Sequence, residues 1–309
     1  MKNIIVVTGG AGFIGSNLIK FLLKKTDFKI ISLDNYSTGS KNNHINHKNV
    51  KYIKGENINI SKILKKYTNK IKVIFHFGEF SRIYQSFINT KECLNNNIYN
   101  SFEVINFAND NKIKIIYSAT SSNLGNNGRD QNSSPYAWAK SKNIELIKNY
   151  SKWFGLKYEL LFFYNVYGPG QISIGKMATI IGIFESQYNN KKPLTIVKPG
   201  SQIRDFTHID DIVIGIKSTL LSDSSNKKLY ELYNIGNNKP VVLTKFIEVI
   251  EKYLGKKAIK KMLPMQDGDV KKTCASISKL TKDYNFQNKV SLDKGIEEFI
   301  NWYKVYHNV

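Results

Sequence analysis

Three residues have the types and the spacing needed to remove a proton from a hydroxyl group: Thr120, Tyr136 and Lys140. Tyr136 and Lys140 are four residues apart, so a helix would place both side chains on one face. A lysine ammonium beside a phenol lowers the pKa of that phenol, which makes the tyrosine a usable base at neutral pH. Thr120 follows an apolar segment and could hydrogen-bond the same hydroxyl group. A tyrosine and a lysine at this spacing are usually surface residues, so the interpretation depends on the elements around them.

The beginning of the chain predicts a site for the hydride acceptor that oxidation of a hydroxyl group also requires. Residues 4–7 are apolar and β-branched, which is typical of a strand buried on both faces. Gly9, Gly12 and Gly15 allow a sharp turn, contact of a pyrophosphate with backbone N–H groups, and close packing of the next helix. Asp34 ends a second apolar strand nineteen residues after Gly15 and would bind the adenosine ribose. An acid at this position repels a 2′-phosphate, so the pattern favours NAD over NADP.

Strands and helices alternate through the first half of the chain, which predicts an α/β fold with a doubly wound parallel sheet of the Rossmann type. The predicted strands are residues 4–7, 29–33, 50–54, 72–77, 113–119 and 156–164. Helices are predicted at residues 61–67, 84–110 and 136–154. We therefore expect a NAD-binding domain over residues 1–165, with later segments returning to it.

The second half of the chain has shorter elements separated by prolines. Its predicted helices lie near residues 178–188, 211–221, 243–254 and 292–306. We expect residues 166–309 to form a smaller α+β lobe over the carboxyl ends of the sheet strands, where ligands bind in such folds.

The composition indicates a globular protein with small-molecule partners. The 309 residues suffice for a large core, and the 46 Lys and Arg against 24 Asp and Glu give a formal charge of +22. These basic residues are scattered, so we interpret them as solvated surface, with neither nucleic acid nor a membrane as a partner. The histidines show no metal-ligand spacing. Two cysteines, and a chain that enters its first strand directly without a signal peptide, predict a reducing cytoplasm.

Seven motifs in the expected order make nearly the whole chain similar to the extended short-chain dehydrogenase/reductase family, and within it to the nucleotide-sugar epimerases and dehydratases. These motifs are TGGAGFIG (8–15), DN (34–35), YSAT (117–120), SPYAWAK (134–140), YNVYGP (164–169), RDFTHIDD (204–211) and YNIG (233–236).

The resemblance implies NAD as cofactor, a nucleotide-diphosphate sugar as substrate, Tyr136 as the base, Lys140 at the nicotinamide ribose and Thr120 in the usual Ser/Thr role. The implied cofactor residues are Gly9, Gly12, Phe13, Ile14, Gly15, Asp34, Asn35 and Lys140. The implied substrate residues are Ser81, Arg82, Thr120, Asn165, Lys176 and Arg204, with the Arg204 guanidinium on the diphosphate. Helices 84–110 and 136–154 form the dimer interface in this family, so we expect a homodimer or a higher homo-oligomer.

Departures from the family pattern limit the substrate and the reaction. Ser121 and Ser122 occupy the places of the Asp-Glu pair of 4,6-dehydratases, which disfavours loss of water. Glu79 and Arg82 lie in a segment that is Ala-rich in galactose-type epimerases. These two charges would lie near the nicotinamide and the sugar, or would form an ion pair at the interface of the lobes.

The residues expected to bind the diphosphate also differ from the family pattern. Phe162 replaces an arginine that often begins the Asn165 segment, and Met265 and Gln266 stand where a second diphosphate-binding arginine is expected. Lys176 is either a lysine of a substrate loop or one more solvated lysine.

The sequence therefore predicts an enzyme that oxidises C4 of a nucleotide sugar to a 4-keto intermediate. Return of the hydride to the other face would make it a 4-epimerase, which we favour, whereas release of the keto sugar would make it a C4 dehydrogenase. A non-catalytic NAD-sensing or nucleic-acid-binding protein is the alternative from another class. The presence of Thr120, Tyr136 and Lys140 argues against that alternative, because a binding module does not need them.

Overall fold

The computed structural model describes residues 3–121, 132–171, 187, 192, 194–197, 200–220, 231–255, 257–264 and 272–307. Its strands are β1 (Ile4–Thr8), β2 (Lys29–Asp34), β3 (Val50–Lys54), β4 (Ile71–His76), β5 (Lys114–Thr120), β6 (Tyr158–Phe163), β7 (Val166–Tyr167), β8 (Leu194–Val197), β9 (Ile203–Arg204), β10 (Thr207–His208), β11 (Leu232–Ile235), β12 (Val241–Val242) and β13 (Lys260–Leu263). Its helices are α1 (Phe13–Lys25), α2 (Ile60–Leu64), α3 (Ile83–Ile88), α4 (Thr90–Leu94), α5 (Asn100–Asp110), α6 (Pro135–Phe154), α7 (Ile209–Leu220), α8 (Leu243–Leu254), α9 (Ser278–Tyr284) and α10 (Leu292–His307).

A seven-stranded sheet in the order β11-β6-β5-β4-β1-β2-β3 forms the centre of the structure. Every neighbouring pair in this sheet is parallel, with Val6 opposite Ile31 of β2 and Ile74 of β4. The strand order reverses between β1 and β4, and the carboxyl ends of the strands face one edge of the sheet. The predicted doubly wound α/β fold is thereby confirmed, and this edge is where such folds bind ligands.

Apolar clusters cover both faces of the sheet, which explains why β1, β5 and β6 are buried along their whole length. Val104 of α5 and Ile147 of α6 belong to the cluster on one face. Leu18 of α1 and Ile212 of α7 belong to the cluster on the other face. The six strands predicted in the first half are all present, with ends that differ by at most two residues.

The prediction of one long helix over residues 84–110 is wrong. The structure divides this segment into α3, α4, a π-helical turn at Asn95–Tyr99, and α5. Asn89 has non-helical dihedral angles (φ −115°, ψ 48°) between α3 and α4. The π-helical turn carries Asn97, whose amide bonds both the N–H and the carbonyl group of Phe80 at 2.7 and 2.9 Å. Such turns are frequent at functional sites, and this one attaches the helix to the loop after β4. The helix predicted at 61–67 is also shorter, since α2 passes into a 3-10 turn at Lys65–Lys70.

The second half of the chain contributes both to the sheet and to a separate apolar core. Strand β11 pairs with β6, and α7 packs against the sheet. A further cluster joins α8 and α10, with the rings of Phe206 and Phe246 stacked at 3.7 Å between centroids. The helix predicted near residues 178–188 lies, apart from Gln187, outside the described residues. The domain boundary at residue 165 stays a prediction.

Candidate functional site

The loop after β1 approaches the loop after β4 very closely, which requires glycine on both sides. Gly9 adopts a φ of 70°, and a Cβ atom there would lie 2.8 Å from the Cα atom of Gly78. A Cβ atom at Gly15 would overlap the carbonyl oxygen of Gly9. Gly12 caps α1, whose first N–H groups, at Phe13 and Ile14, cannot be bonded within the helix. This helix start at the carboxyl edge of the sheet has the chemistry of a pyrophosphate site.

Asp34 ends β2 beside this loop and is 7 % exposed. Its Oδ2 accepts the N–H of Ala11 at 2.9 Å, and its Oδ1 accepts the N–H of Tyr36 at 2.8 Å. Asn35 follows and donates to Glu56 Oε2 at 3.1 Å. Asn35 and Glu56 also line a groove of about 950 Å³. A carboxylate between a glycine loop and a groove fits an adenosine ribose, so the residues present fit a dinucleotide.

Replacement of Asp34 by alanine should weaken NAD binding about tenfold to hundredfold, because hydrogen bonds to a charged group contribute about 1.5–3 kcal/mol. The preference for NAD over NADP should fall with it, since the 2′-phosphate no longer meets a carboxylate. Titration calorimetry of the cofactor-free protein with each dinucleotide measures both effects. Asp27→Ala removes the same charge at an exposed position before β2 and should change neither. An unchanged NAD preference in Asp34→Ala would contradict the assignment.

The start of α6 positions Tyr136 and Lys140. Ser134 caps the helix by accepting the N–H of Ala137 at 3.1 Å, and Pro135 occupies the first turn, where its missing N–H costs nothing. Tyr136 is 9 % exposed and packs in an apolar cluster with Phe80. The two predicted side chains therefore lie one turn apart on the buried face of α6.

Lys140 connects α6 to the end of β5. Its Nζ donates to the carbonyl oxygen of Ser118 at 2.5 Å and approaches the Ser118 hydroxyl at 3.3 Å. Thr120 follows two residues later as the last residue of β5, and it is also buried. The structure thus brings the end of β5, which carries Thr120, close to Lys140.

Glu79 is the partner of Lys140 that the sequence interpretation missed. Its Oε2 forms an ion pair with the Lys140 ammonium, and the two side chains are 2 % and 4 % exposed. Its Oε1 accepts hydrogen bonds from Ser101 Oγ at 2.7 Å, Tyr117 OH at 2.9 Å and Asn143 Nδ2 at 3.0 Å. From its charge, Glu79 was expected near the nicotinamide and the sugar or in an ion pair with Arg82. The feature that could have indicated its role is a glutamate three residues after the end of a buried strand.

His76 continues this network toward the glycine loop. Its Nδ1 lies 2.7 Å from Thr8 Oγ1, which accepts two backbone N–H groups of the loop after β4. Its Nε2 lies 2.9 Å from Ser101 Oγ. Ser101 donates its hydroxyl proton to Glu79, so it can accept a proton from His76 Nε2. The neutral tautomer of His76 with a proton on Nε2 therefore satisfies every hydrogen bond from Thr8 to Glu79. Complete burial lowers the pKa of His76 to about 4, which agrees with a neutral imidazole.

Ser81 and Arg82 lie beside this network, at the start of α3. Ser81 is exposed, and the half-buried Arg82 donates to its carbonyl oxygen at 2.9 Å. Burial lowers the pKa of Arg82, while nearby Tyr136 acts in the opposite direction. Arg82 thus interacts electrostatically with Tyr136, whereas Glu79 forms the ion pair with Lys140.

Asn165 follows β6, and Arg204 is the last residue of β9 in the second half of the chain. The Asn165 amide donates to the carbonyl oxygen of Asp205 at 3.3 Å and to Thr273 Oγ1 at 3.1 Å. Asp205 is completely buried and accepts the backbone N–H groups of Asn237, Asn238 and Ala275 at 2.7–3.0 Å. Sequence analysis did not identify Asp205 or Thr273 as links that position Asn165. Lys176, Ser122, Met265 and Gln266 lie outside the described residues.

His208 is buried in the same motif, against Tyr167, with ring centroids 5.4 Å apart. Its ring, Asp210 and Glu298 offer ligand atoms within 4.8 Å of one another. Burial lowers the pKa of His208, and this effect outweighs the opposing effect of the two acids. These contacts agree with a structural role for the histidine.

The profile of the NAD dependent epimerase/dehydratase family matches residues 5–236. This chain belongs to that family. A UDP-glucuronate 4-epimerase of Thermodesulfobacterium geofontis is 30% identical over 97% of this chain and 95% of the relative. An uncharacterized protein of Methanocaldococcus jannaschii is 35% identical over 98% of this chain and 96% of its own length. The crystal structure of UDP-glucuronic acid 4-epimerase from Bacillus cereus, in complex with UDP-glucuronic acid and NAD, superposes with a TM-score of 0.89 at 28% identity, covering 98% of this chain and 99% of that one.

Family membership confirms the cofactor and the class of enzyme predicted from the sequence. The protein is an NAD-dependent nucleotide-sugar epimerase of the short-chain dehydrogenase/reductase type. Within the part of the chain that the structure describes, no helix is long and apolar enough to cross a membrane.

Proposed function

We propose that this protein interconverts the C4 epimers of a UDP-linked sugar, with UDP-glucuronate as the first substrate to test. The observation that carries the proposal is the buried arrangement of Thr120, Tyr136 and Lys140 at the carboxyl edge of the sheet, beside a glycine loop that fits a dinucleotide. The named relative and the superposed crystal structure, both UDP-glucuronate 4-epimerases, support the choice of sugar.

In the proposed reaction, the Tyr136 phenolate removes the proton of the C4 hydroxyl group, and the C4–H bond breaks to leave a 4-keto sugar. NAD, when bound, supplies the acceptor and later the donor of the hydride. Thr120 hydrogen-bonds the C4 oxygen and holds it in line. After the keto sugar presents its other face, the hydride returns to C4, and Tyr136 returns the proton to the oxygen. Proton and hydride are thus both recovered, so the reaction needs no external oxidant.

We also propose that Arg204 binds the diphosphate and that Asn165, Ser81, Arg82 and Lys176 contact the sugar nucleotide. The first turn of α1, at Phe13 and Ile14, would bind the pyrophosphate of the cofactor through backbone N–H groups. Asp34 and Asn35 would bind its adenosine half. Ser121 follows Thr120 directly and offers no carboxyl group for elimination of water, which again disfavours a 4,6-dehydratase.

Product analysis tests this function. Purified protein is incubated with UDP-glucuronate, UDP-glucose and UDP-N-acetylglucosamine, and the products are identified by mass spectrometry and NMR. We expect an isomer of unchanged mass from one of these sugars, without accumulation of NADH. A product lighter by two hydrogens, with NADH formed in proportion, would instead identify a C4 dehydrogenase. No turnover of any sugar, together with salt-sensitive binding of DNA or RNA, would favour a nucleic-acid-binding protein.

We propose further that the protein forms a homodimer through α3, α5 and α6. Large apolar side chains are exposed along these helices and the turn between them: Tyr84, Phe87, Ile88, Tyr99, Phe102, Trp138, Trp153 and Phe154. Exposed apolar surface of this extent is typical of interaction sites.

We also propose the cytoplasm as the location of the protein. The exposed Cys274 is a free thiol, which fits the reducing conditions of that compartment.

Introduction of a charge at Phe102, which is 40 % exposed, should raise the dissociation constant of the dimer at least about thirtyfold. Phe102→Glu would bury a carboxylate without a partner in the proposed interface. Sedimentation velocity over a range of concentrations measures the shift. Val305→Glu introduces the same charge at a residue 79 % exposed on α10 and should leave the dimer intact. A wild-type protein that stays monomeric throughout would contradict the proposal.

A further inference from the structure

The Glu79 carboxylate, beside the candidate catalytic residue Lys140, has four donors. Its Oε2 is paired with Lys140, and its Oε1 accepts from a serine, a tyrosine and an asparagine side chain. An ionised carboxylate offers about four acceptor sites, so four donors satisfy it. These donors come from three elements, with Lys140 and Asn143 on α6, Ser101 on α5 and Tyr117 on β5, which fixes the carboxylate in one position.

The Lys140 ammonium is held in place by Glu79 and by the end of β5. It carries three protons, and the Glu79 carboxylate and the Ser118 carbonyl oxygen each accept one. These two acceptors leave one ammonium proton for the weaker contact with Ser118 Oγ or for a group in the site. The Lys140 ammonium also lies 4.7 Å from the centre of the Tyr117 ring, which limits its movement further. The direction in which Lys140 can act is therefore set by Glu79 and β5.

We propose that Glu79 is a positioning residue that acts through Lys140, holding its ammonium in place and offsetting its charge, so that Tyr136 works beside an ion pair rather than beside a lone cation. The proposal rests on the role of Tyr136 as the base. Its physical basis is that a negative charge in contact with an ammonium reduces the attraction of that ammonium for a neighbouring phenolate. Glu79 would thereby set the pH at which the base becomes available.

Three other titratable groups around the Glu79–Lys140 pair have pKa values that are shifted away from neutral pH. His76 of β4 has a pKa of about 4 because it is buried, and burial and Glu79 raise the pKa of Cys93 of α4 to about 11. Burial and Glu79 also raise the pKa of Tyr117 of β5. Burial lowers the pKa of Arg82, which precedes α3, and the charge of nearby Tyr136 acts in the opposite direction. A pH-dependent change that Glu79→Gln introduces near neutral pH can therefore be distinguished from the titration of these three groups.

Glu79→Gln removes the charge while keeping the shape and one acceptor, and Glu79→Asp keeps the charge. The NAD-loaded proteins are titrated by the near-ultraviolet absorbance of tyrosinate, with Tyr136→Phe as the baseline for the other 17 of the 18 tyrosines. We expect the Tyr136 midpoint to move to lower pH by about one unit in Glu79→Gln, a tenfold change in proton affinity. It should stay near the wild-type value in Glu79→Asp. Both limbs of the pH profile of epimerisation should move in the same direction, because removal of a negative charge favours deprotonation of every neighbouring group.

The absorbance titration needs no substrate, so it separates this proposal from the proposed function. A Tyr136 midpoint that is the same in wild type and Glu79→Gln would overturn the proposal and would leave Glu79 as a packing residue, whatever the loss of thermal stability. If the wild-type protein epimerises none of the sugars but the midpoint still shifts, the inference about Glu79 stands and the assigned substrate fails.

Discussion

Tyr136→Phe is expected to reduce the turnover number at least about a hundredfold, because loss of a general base typically costs a factor of about 10² to 10⁴. The substitution removes one hydroxyl group and retains the ring, which packs against Phe80 and Cys93. The variant should therefore fold normally and bind NAD with nearly unchanged affinity. Turnover is measured by product formation from UDP-glucuronate, and NAD binding by calorimetry.

Tyr150→Phe is the matched control for this variant. Tyr150 lies on the same helix, is also 9 % exposed, and packs against Phe154 with ring centroids 5.2 Å apart, away from Lys140. Removal of its hydroxyl group should change turnover less than about twofold, since it touches no reacting atom. Substantial activity in Tyr136→Phe would eliminate this tyrosine as the base.

Glu159→Ala is expected to lower the free energy of unfolding by about 3–5 kcal/mol, because it removes the carboxylate that pairs with a buried ammonium. Lys114 is 6 % exposed and donates to Glu159 Oε1 at 2.7 Å and to the carbonyl oxygen of Thr219 at 3.2 Å. The pair lies at the amino ends of β5 and β6, on the opposite edge of the sheet from the candidate site. Urea unfolding followed by circular dichroism measures the loss.

A second variant shows whether the cost arises from the unpaired charge. The double variant Lys114→Met, Glu159→Leu replaces the ion pair by apolar side chains of similar size, and it should recover most of the lost stability. Activity per folded molecule should be unchanged, since neither residue approaches the site. If the double variant is as unstable as Glu159→Ala, the loss reflects packing rather than charge.

Local patterns were sufficient to predict the sheet and the glycine loop. A run of β-branched residues such as 4–7 has few alternatives to a strand buried on both faces. After it, the close approach of Gly78 requires a glycine at position 9, and the Gly9 carbonyl oxygen requires one at position 15. The paired spacing of Tyr136 and Lys140 also needed only the helix that Ser134 and Pro135 begin.

Predictions failed where a distant contact decides the local structure. Apolar spacing over residues 84–110 indicated one helix, but the side chain of Asn97 bonds the backbone of Phe80 and accompanies a π-helical turn. The same turn brings Ser101 to Glu79. The partnership of Glu79 with Lys140 could not be predicted for the same reason, because 61 residues separate the two and no local spacing links them.

The measurement that tests the central claim most directly is the fate of the hydrogen at C4. UDP-glucuronate with deuterium at C4 is incubated with the NAD-loaded protein, and the product is analysed by NMR and mass spectrometry. If one enzyme-bound NAD accepts and returns the hydride, the deuterium will be found at C4 of the epimer. Deuterium in released NADH or in the solvent, with a keto sugar or unlabelled epimer as product, would contradict an epimerase that works through Tyr136 and a retained cofactor.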